Sequence, residues 1–191
     1  GRGRSLLTAP AVAGIAYTTA WVLGLAVWPS NLDVAASNVK VVATYSAHQG
    51  AAMTQYLLIE GVAAIALAVV VFALGRGARR RGADRLGQAT VVAGLTAVAI
   101  SLAQCALGLL LAGSVAPDGD TDRAGRLFDL INRMDGVKMF ALAAMAAAGV
   151  GLVRRAVLPR WLGYAAAFLT VALIVSGAGY LLLNTTLAQA V

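Results

Sequence analysis

The chain has 191 residues, of which 60% are hydrophobic and 12% charged, and its mean hydropathy is +0.82. Soluble domains carry about 25% charged residues, so the composition argues against a water-soluble fold and for one all-α transmembrane domain over residues 1–191. The net charge of +7 does not point to nucleic acid, because the arginines sit in short clusters between apolar runs, as they do in cytoplasmic loops.

The first apolar run covers residues 9–28, with Tyr17, Thr18 and Thr19 in its middle and Trp21 and Trp28 toward its end. Arg2 and Arg4 before it mimic a signal peptide. The run is long for one, however, and it ends in Trp28-Pro29 rather than a small-x-small site, which predicts a retained helix. Membrane threonines can bond back to their own backbone. Trp28 fits an interfacial anchor, and Pro29-Ser30-Asn31 reads as the stop. Residues 33–45 then place Val34, Val39, Val41, Val42 and Tyr45 against Asp33, Ser37, Asn38 and Lys40 at roughly helical spacing, predicting a short interfacial helix. His48, the only histidine, reads either as a solvated loop side chain or as a proton carrier at the mouth of a site.

A second span, residues 53–75, carries Glu60 well inside an apolar run. A charged side chain at the bilayer centre costs about 2.5–3.5 kcal/mol on insertion scales, so another part of the chain should answer it. After Arg76, Arg79, Arg80, Arg81 and Arg85 comes a third span, 89–113, containing Ser101, Gln104 and Cys105. The loop with Asp118, Asp120 and Asp122 resembles a calcium loop in spacing but lacks the closing glutamate, so it reads as a solvated acidic loop. A fourth span, 130–153, is approached through Arg126, Asp129, Asn132, Arg133, Asp135 and Lys138. Arg154, Arg155 and Arg160 precede the fifth, 161–183, and residues 184–191 read as a short polar tail. With five spans, ten of the fifteen Lys/Arg residues fall on one side, which predicts a cytoplasmic N-terminus and an outside C-terminus.

Depth follows from ~1.5 Å per residue. Glu60 falls ~10 Å and Gln104 ~13 Å below the outer surface, with Asp135 and Lys138 at similar depth. On the fourth span Asp129, Asn132, Arg133 and Gly136 share one face, with Asp129 and Arg133 at pairing distance. Asp135 and Lys138 share another, which would point toward Glu60 and Gln104. Burial disfavours a lone carboxylate, and a neutral buried acid is what a general acid needs. The single histidine and the single cysteine lie far apart, so no metal site or other cofactor is implied. Cys105 reads as a packing residue, and alone it forms no intramolecular disulfide.

The stretch Leu158-Pro159-Arg160-Trp161-Leu162-Gly163 resembles a motif opening the last helix in a family of small, actinobacterial-type multi-helix membrane proteins of unknown function. The resemblance covers the last two spans best and implies a multi-pass membrane protein without supplying catalytic residues. Its mechanical reading is Pro at the helix start, Arg in the headgroups and Trp at the interface.

These readings lead to an outward-facing polar pocket in the plasma membrane that binds a small amphipathic or lipid-like molecule. Glu60 is its central acid or hydrogen-bond group. Gln104, Asp135 and Lys138 orient the ligand, and Tyr56 and Tyr180 form the rim. Asp129, Asn132, Arg133 and His48 complete the candidate set. The enzyme alternative is an embedded terpene cyclase or isomerase in which Glu60, with Asp135, protonates an isoprenoid. A proton-coupled transporter and a structural or partner subunit are further alternatives. The partners implied are membrane lipids and the amphipathic ligand, with no nucleic acid; homo-oligomerisation is left open.

Overall fold

The computed structural model describes residues 2–28 and 32–188, with side chains from Ala9 onward except at Thr185 and Leu187. The expected stop at Pro29-Ser30-Asn31 and the last three residues of the expected tail lie outside the described residues. The described chain is helical, with no strand: α1 (Arg2–Val27), α2 (Asn38–Ala47), α3 (Gln49–Arg80), α4 (Asp84–Val115), α5 (Thr121–Arg154), α6 (Arg160–Leu181) and the single turn α7 (Thr185–Ala188). Among the described residues, five helices are long and apolar enough to cross a membrane: α1 over Ala9–Val27, and α3 to α6.

The predicted spans are the apolar centres of longer helices. α3, α4 and α5 run for 32, 32 and 34 residues, or ~50 Å each, against a ~30 Å hydrocarbon core. The predicted limits 53–75, 89–113 and 130–153 therefore stop where hydropathy stops, while backbone hydrogen bonding continues. The interfacial helix begins later than expected. Residues 33–36 form a turn, in which Asp33 Oδ1 accepts from Ala35 N at 2.9 Å and Asp33 O from Ala36 N at 2.9 Å. The short side chain of Asp33 thus competes with the helix for backbone donors. The expected polar tail instead turns back as α7, where Ser176 Oγ donates to Ala188 O at 2.7 Å and Ala188 is buried. As expected, Thr18 Oγ1 bonds back to Gly14 O, at 3.1 Å.

The spans pack in chain order: α1 on α3, α3 on α4, α4 on α5, and α5 on α6, with α2 laid across α5. Neither α1 with α6 nor α3 with α5 forms a packed helix pair, so the bundle is an open arc with a concave side. Small residues allow the close approaches along it. A Cβ on Gly75 would enter Val91, one on Gly94 would enter Val71, and one on Gly136 would lie 2.9 Å from the Gly177 carbonyl. At the α2 end a compact core forms from Trp28, Val41, Tyr45, Leu111, Phe128 and Ile131. Trp28, expected at the interface, is only 6% exposed there and meets Tyr45 edge-on at 5.1 Å. The arginine-rich end is tied by a smaller core of Ala78, Ala83 and Leu152. α3 finishes there in a left-handed Gly82 (φ 68°), with Gly82 N bonding Arg79 O and Ala83 N bonding Ala78 O. This closure satisfies carbonyls the helix would otherwise leave open.

Candidate functional site

Glu60 sits in a π-helical turn, Leu57–Val62, within α3. Such turns insert one extra residue and are frequent at functional sites. The wider turn carries the Glu60 carboxylate into the gap between α3 and α5. There Lys138 of α5 donates to both its oxygens, at 2.7 and 2.9 Å. Lys138 Nζ also meets Asp135 Oδ1 at 2.7 Å, one turn earlier on α5. Ser101 of α4, the helix behind the gap, places its hydroxyl against Glu60. Glu60 is 7% exposed and Lys138 3%, and the pair bridges two helices that do not otherwise pack. A buried ion pair is tolerated only when hydrogen bonds satisfy both partners. Here the three Nζ contacts match the three donors of an ammonium group.

Above the cluster lies a cleft of about 400 Å³. Its aromatic wall comes from Trp21 and Trp28 of α1, Tyr45 of α2, Tyr56 of α3, Phe128 of α5 and Tyr180 of α6. Glu60, Asp135, Asn132 and Gln55 are its polar lining. Asp135 shows 20% of its side chain and has no partner other than Lys138 among the described residues. Lys138 lies behind the cleft, lining a separate void of about 20 Å³ with Tyr17, Trp21 and Ser101. The cleft reaches the surface beside Leu25 of α1, which is 53% exposed.

Several of the cleft's hydrogen-bond donors are already engaged. Gln55 Nε2 donates to Gly24 O at 3.1 Å and to Trp28 O at 2.7 Å, capping the end of α1. Asn132 Nδ2 donates to Phe128 O at 3.0 Å. The Tyr45 and Tyr56 hydroxyls bond each other at 2.9 Å, their rings stacked at 6.5 Å. Burial pushes the Tyr45 phenol up to about 12, against the bond from Tyr56 that lowers it.

The structure thus brings together Glu60, Asp135, Lys138, Asn132, Tyr56 and Tyr180. It does not bring in Gln104, which is fully buried between helices, donating to Ile131 O at 3.0 Å with Oε1 unpartnered. Asn132, which spacing grouped with Asp129 and Arg133, joins Asp135 on the cleft wall. The expected Asp129–Arg133 pair is absent: Arg133 donates to Leu181 O at 3.3 Å, serving the end of α6, and Asp129 is exposed. His48 is exposed at the α2–α3 corner, stacked on Trp28 at 6.4 Å and bonded to Thr44 O, off the cleft wall. Cys105 is buried and unpaired, with its sulfur near Gly61. No group of acidic, His and Cys side chains suited to a metal occurs among the described residues. Asp120, in the acidic loop, caps α5 by accepting from Arg123 N at 2.9 Å.

Sequence reasoning did not assign Trp21, Tyr45, Gln55, Ser101 or Phe128 to the site. Gln55 carried the most usable signal, a polar amide near the end of an apolar span. The aromatic residues carried none, because ring-lined walls and ring-filled cores have the same composition.

A second, larger recess of about 710 Å³ lies under the α5–α6 connection, between Val153 and Arg160. It is walled by that single connection and holds none of the clustered groups. Comparison with protein-family models, with curated proteins and with solved structures found no match to this chain.

Proposed function

We propose that this protein is a multi-pass plasma-membrane protein that holds a small amphipathic or lipid-like molecule in the cleft between α1 and the α5–α6 pair. The arginine-rich end lies in the cytoplasm and the α2 end outside, by the positive-inside argument. One observation carries the reading: an aromatic-walled cleft runs from a buried ion cluster to the side of the bundle, where α1 and α6 do not pack. Apolar walls with a few polar groups are the usual make-up of small-molecule sites. The lateral mouth suits a molecule that arrives through the bilayer.

Binding is supported better than acid catalysis. Both Glu60 oxygens accept from Lys138, which is the arrangement of an ionised pair rather than of a neutral acid ready to protonate an alkene.

Mass spectrometry of small molecules co-purifying with the detergent-solubilised protein tests the reading. The expected result is a specific amphiphile on wild type that is lost or depleted on both Glu60→Gln and Asp135→Asn. Bulk lipid alone on all three proteins would leave the cluster as helix-to-helix glue and remove the binding role.

A further inference from the structure

We propose, building on the binding role above, that the occupant of the cleft is an amphipathic cation: an alkylammonium-type head held at Asp135 among the aromatic rings, with its apolar tail leaving past Leu25.

Charge gives the first reason. The ionised groups on the cleft wall are both acids, Glu60 and Asp135. The one cation of the cluster, Lys138, lies behind the wall. With Glu60 and Asp135 ionised and Lys138 protonated, the cluster carries one net negative charge. In a low-dielectric setting that charge calls for a counter-charge from the cleft side.

Hydrogen bonding gives the second reason, independently. An anionic head needs charged donors, and no Lys, Arg or His among the described residues lines the cleft; its donors are neutral hydroxyls, indoles and amides. The Lys138 ammonium has its three contacts filled, the Gln55 amide is committed to two backbone carbonyls, and the Asn132 amide to one. The open charged group is an acceptor, the partly exposed carboxylate of Asp135. The Tyr45 and Tyr56 hydroxyls bond each other, which leaves one neutral O–H and two rings, and ring faces attract cations. Arg133, the nearest arginine in sequence, is bonded to Leu181 O and does not line the cleft.

The test uses the full-length protein in dodecyl maltoside with three probes of equal chain length: dodecylammonium, dodecanol and dodecanoate. Trp161, exposed on α6, is replaced by Phe, so that fluorescence reports Trp21 and Trp28. Dodecylammonium should give a saturable change at a concentration at least about tenfold below either other probe, the size expected when a desolvated head gains ring and carboxylate contacts. Asp135→Asn should abolish the preference for the amine over the alcohol, and Asp135→Glu should restore it. Loss of packing alone would weaken both probes together. If Asp135→Asn does not elute as a monodisperse species, Trp21→Leu takes its place and should weaken the amine more than the alcohol, with Trp28 as reporter. Equal saturable binding of amine and alcohol would overturn the cationic assignment and leave the binding role standing. A preference for dodecanoate would overturn it as well. No saturable change with any probe would remove both.

Discussion

Lys138 is the residue on which the cluster turns, because it is shared by Glu60 and Asp135. Replacing it with Met leaves two acids facing each other near the gap between α3 and α5. Breaking a buried pair from one side costs about 3–5 kcal/mol. Glu60→Gln keeps Asp135 as a partner for Lys138 and should cost less, about 1–2 kcal/mol. Thermal unfolding in detergent should therefore rank wild type above Glu60→Gln and Glu60→Gln above Lys138→Met; the reverse order would show that Lys138 is not the shared partner. Tyr45 supplies a pH signature. Its folded phenol holds its proton up to about 12, above the ordinary 10.0 of the unfolded chain. The stability it contributes is thus complete below about pH 10 and lost as pH rises toward about 12. Alkaline unfolding of wild type should show this loss, and Tyr45→Phe should show less of it.

The elements carry the geometry that residue types alone do not. Glu60 meets Lys138 and Asp135 as depth along the spans foretold, since depth is linear in residue number. Facing is different, because it depends on how each helix is rotated. The π-helical turn at Leu57–Val62 shifts the register of α3 by about 100°, and no composition rule announces it. Gln104 sits at a suitable depth, yet its amide serves the α5 backbone. Asn132 was placed with Asp129 by spacing, but the buried stripe of α5 is broad and includes Phe128, Ile131, Asn132 and Gly136. A globular helix commonly buries a stripe at least about 100° wide. The α3–α4 contact offers a direct check on the aromatic wall. A Cβ at Gly108 would fall inside the Tyr56 ring, so Gly108→Val should displace that ring and break the Tyr45–Tyr56 bond. The change should appear as a shifted near-ultraviolet circular dichroism spectrum with helix content retained.

For the whole molecule, the all-α bundle and its five spans were legible from hydropathy and the arginine clusters alone, because both are averages over many residues. The open arc was not, since it depends on which helix pairs fail to pack. Orientation is the property that places the cleft on one side of the membrane. A cysteine introduced at Asp118 in the Cys105→Ser background should react with an impermeant maleimide on intact cells. One at Arg81 should react only after permeabilisation. The opposite pattern would put the cleft on the cytoplasmic side.

Gln55 gives the arc a fixed point. Its amide grips the last turn of α1 at two carbonyls, while the rest of α1 packs along α3. Hydrogen bonds are directional; apolar contact allows sliding. A rod held at one end turns most easily about that end, so any tilt of α1 would pivot at Gln55. A given tilt opens the gap toward α6 least beside Trp28 and more at Trp21, one turn below Leu25.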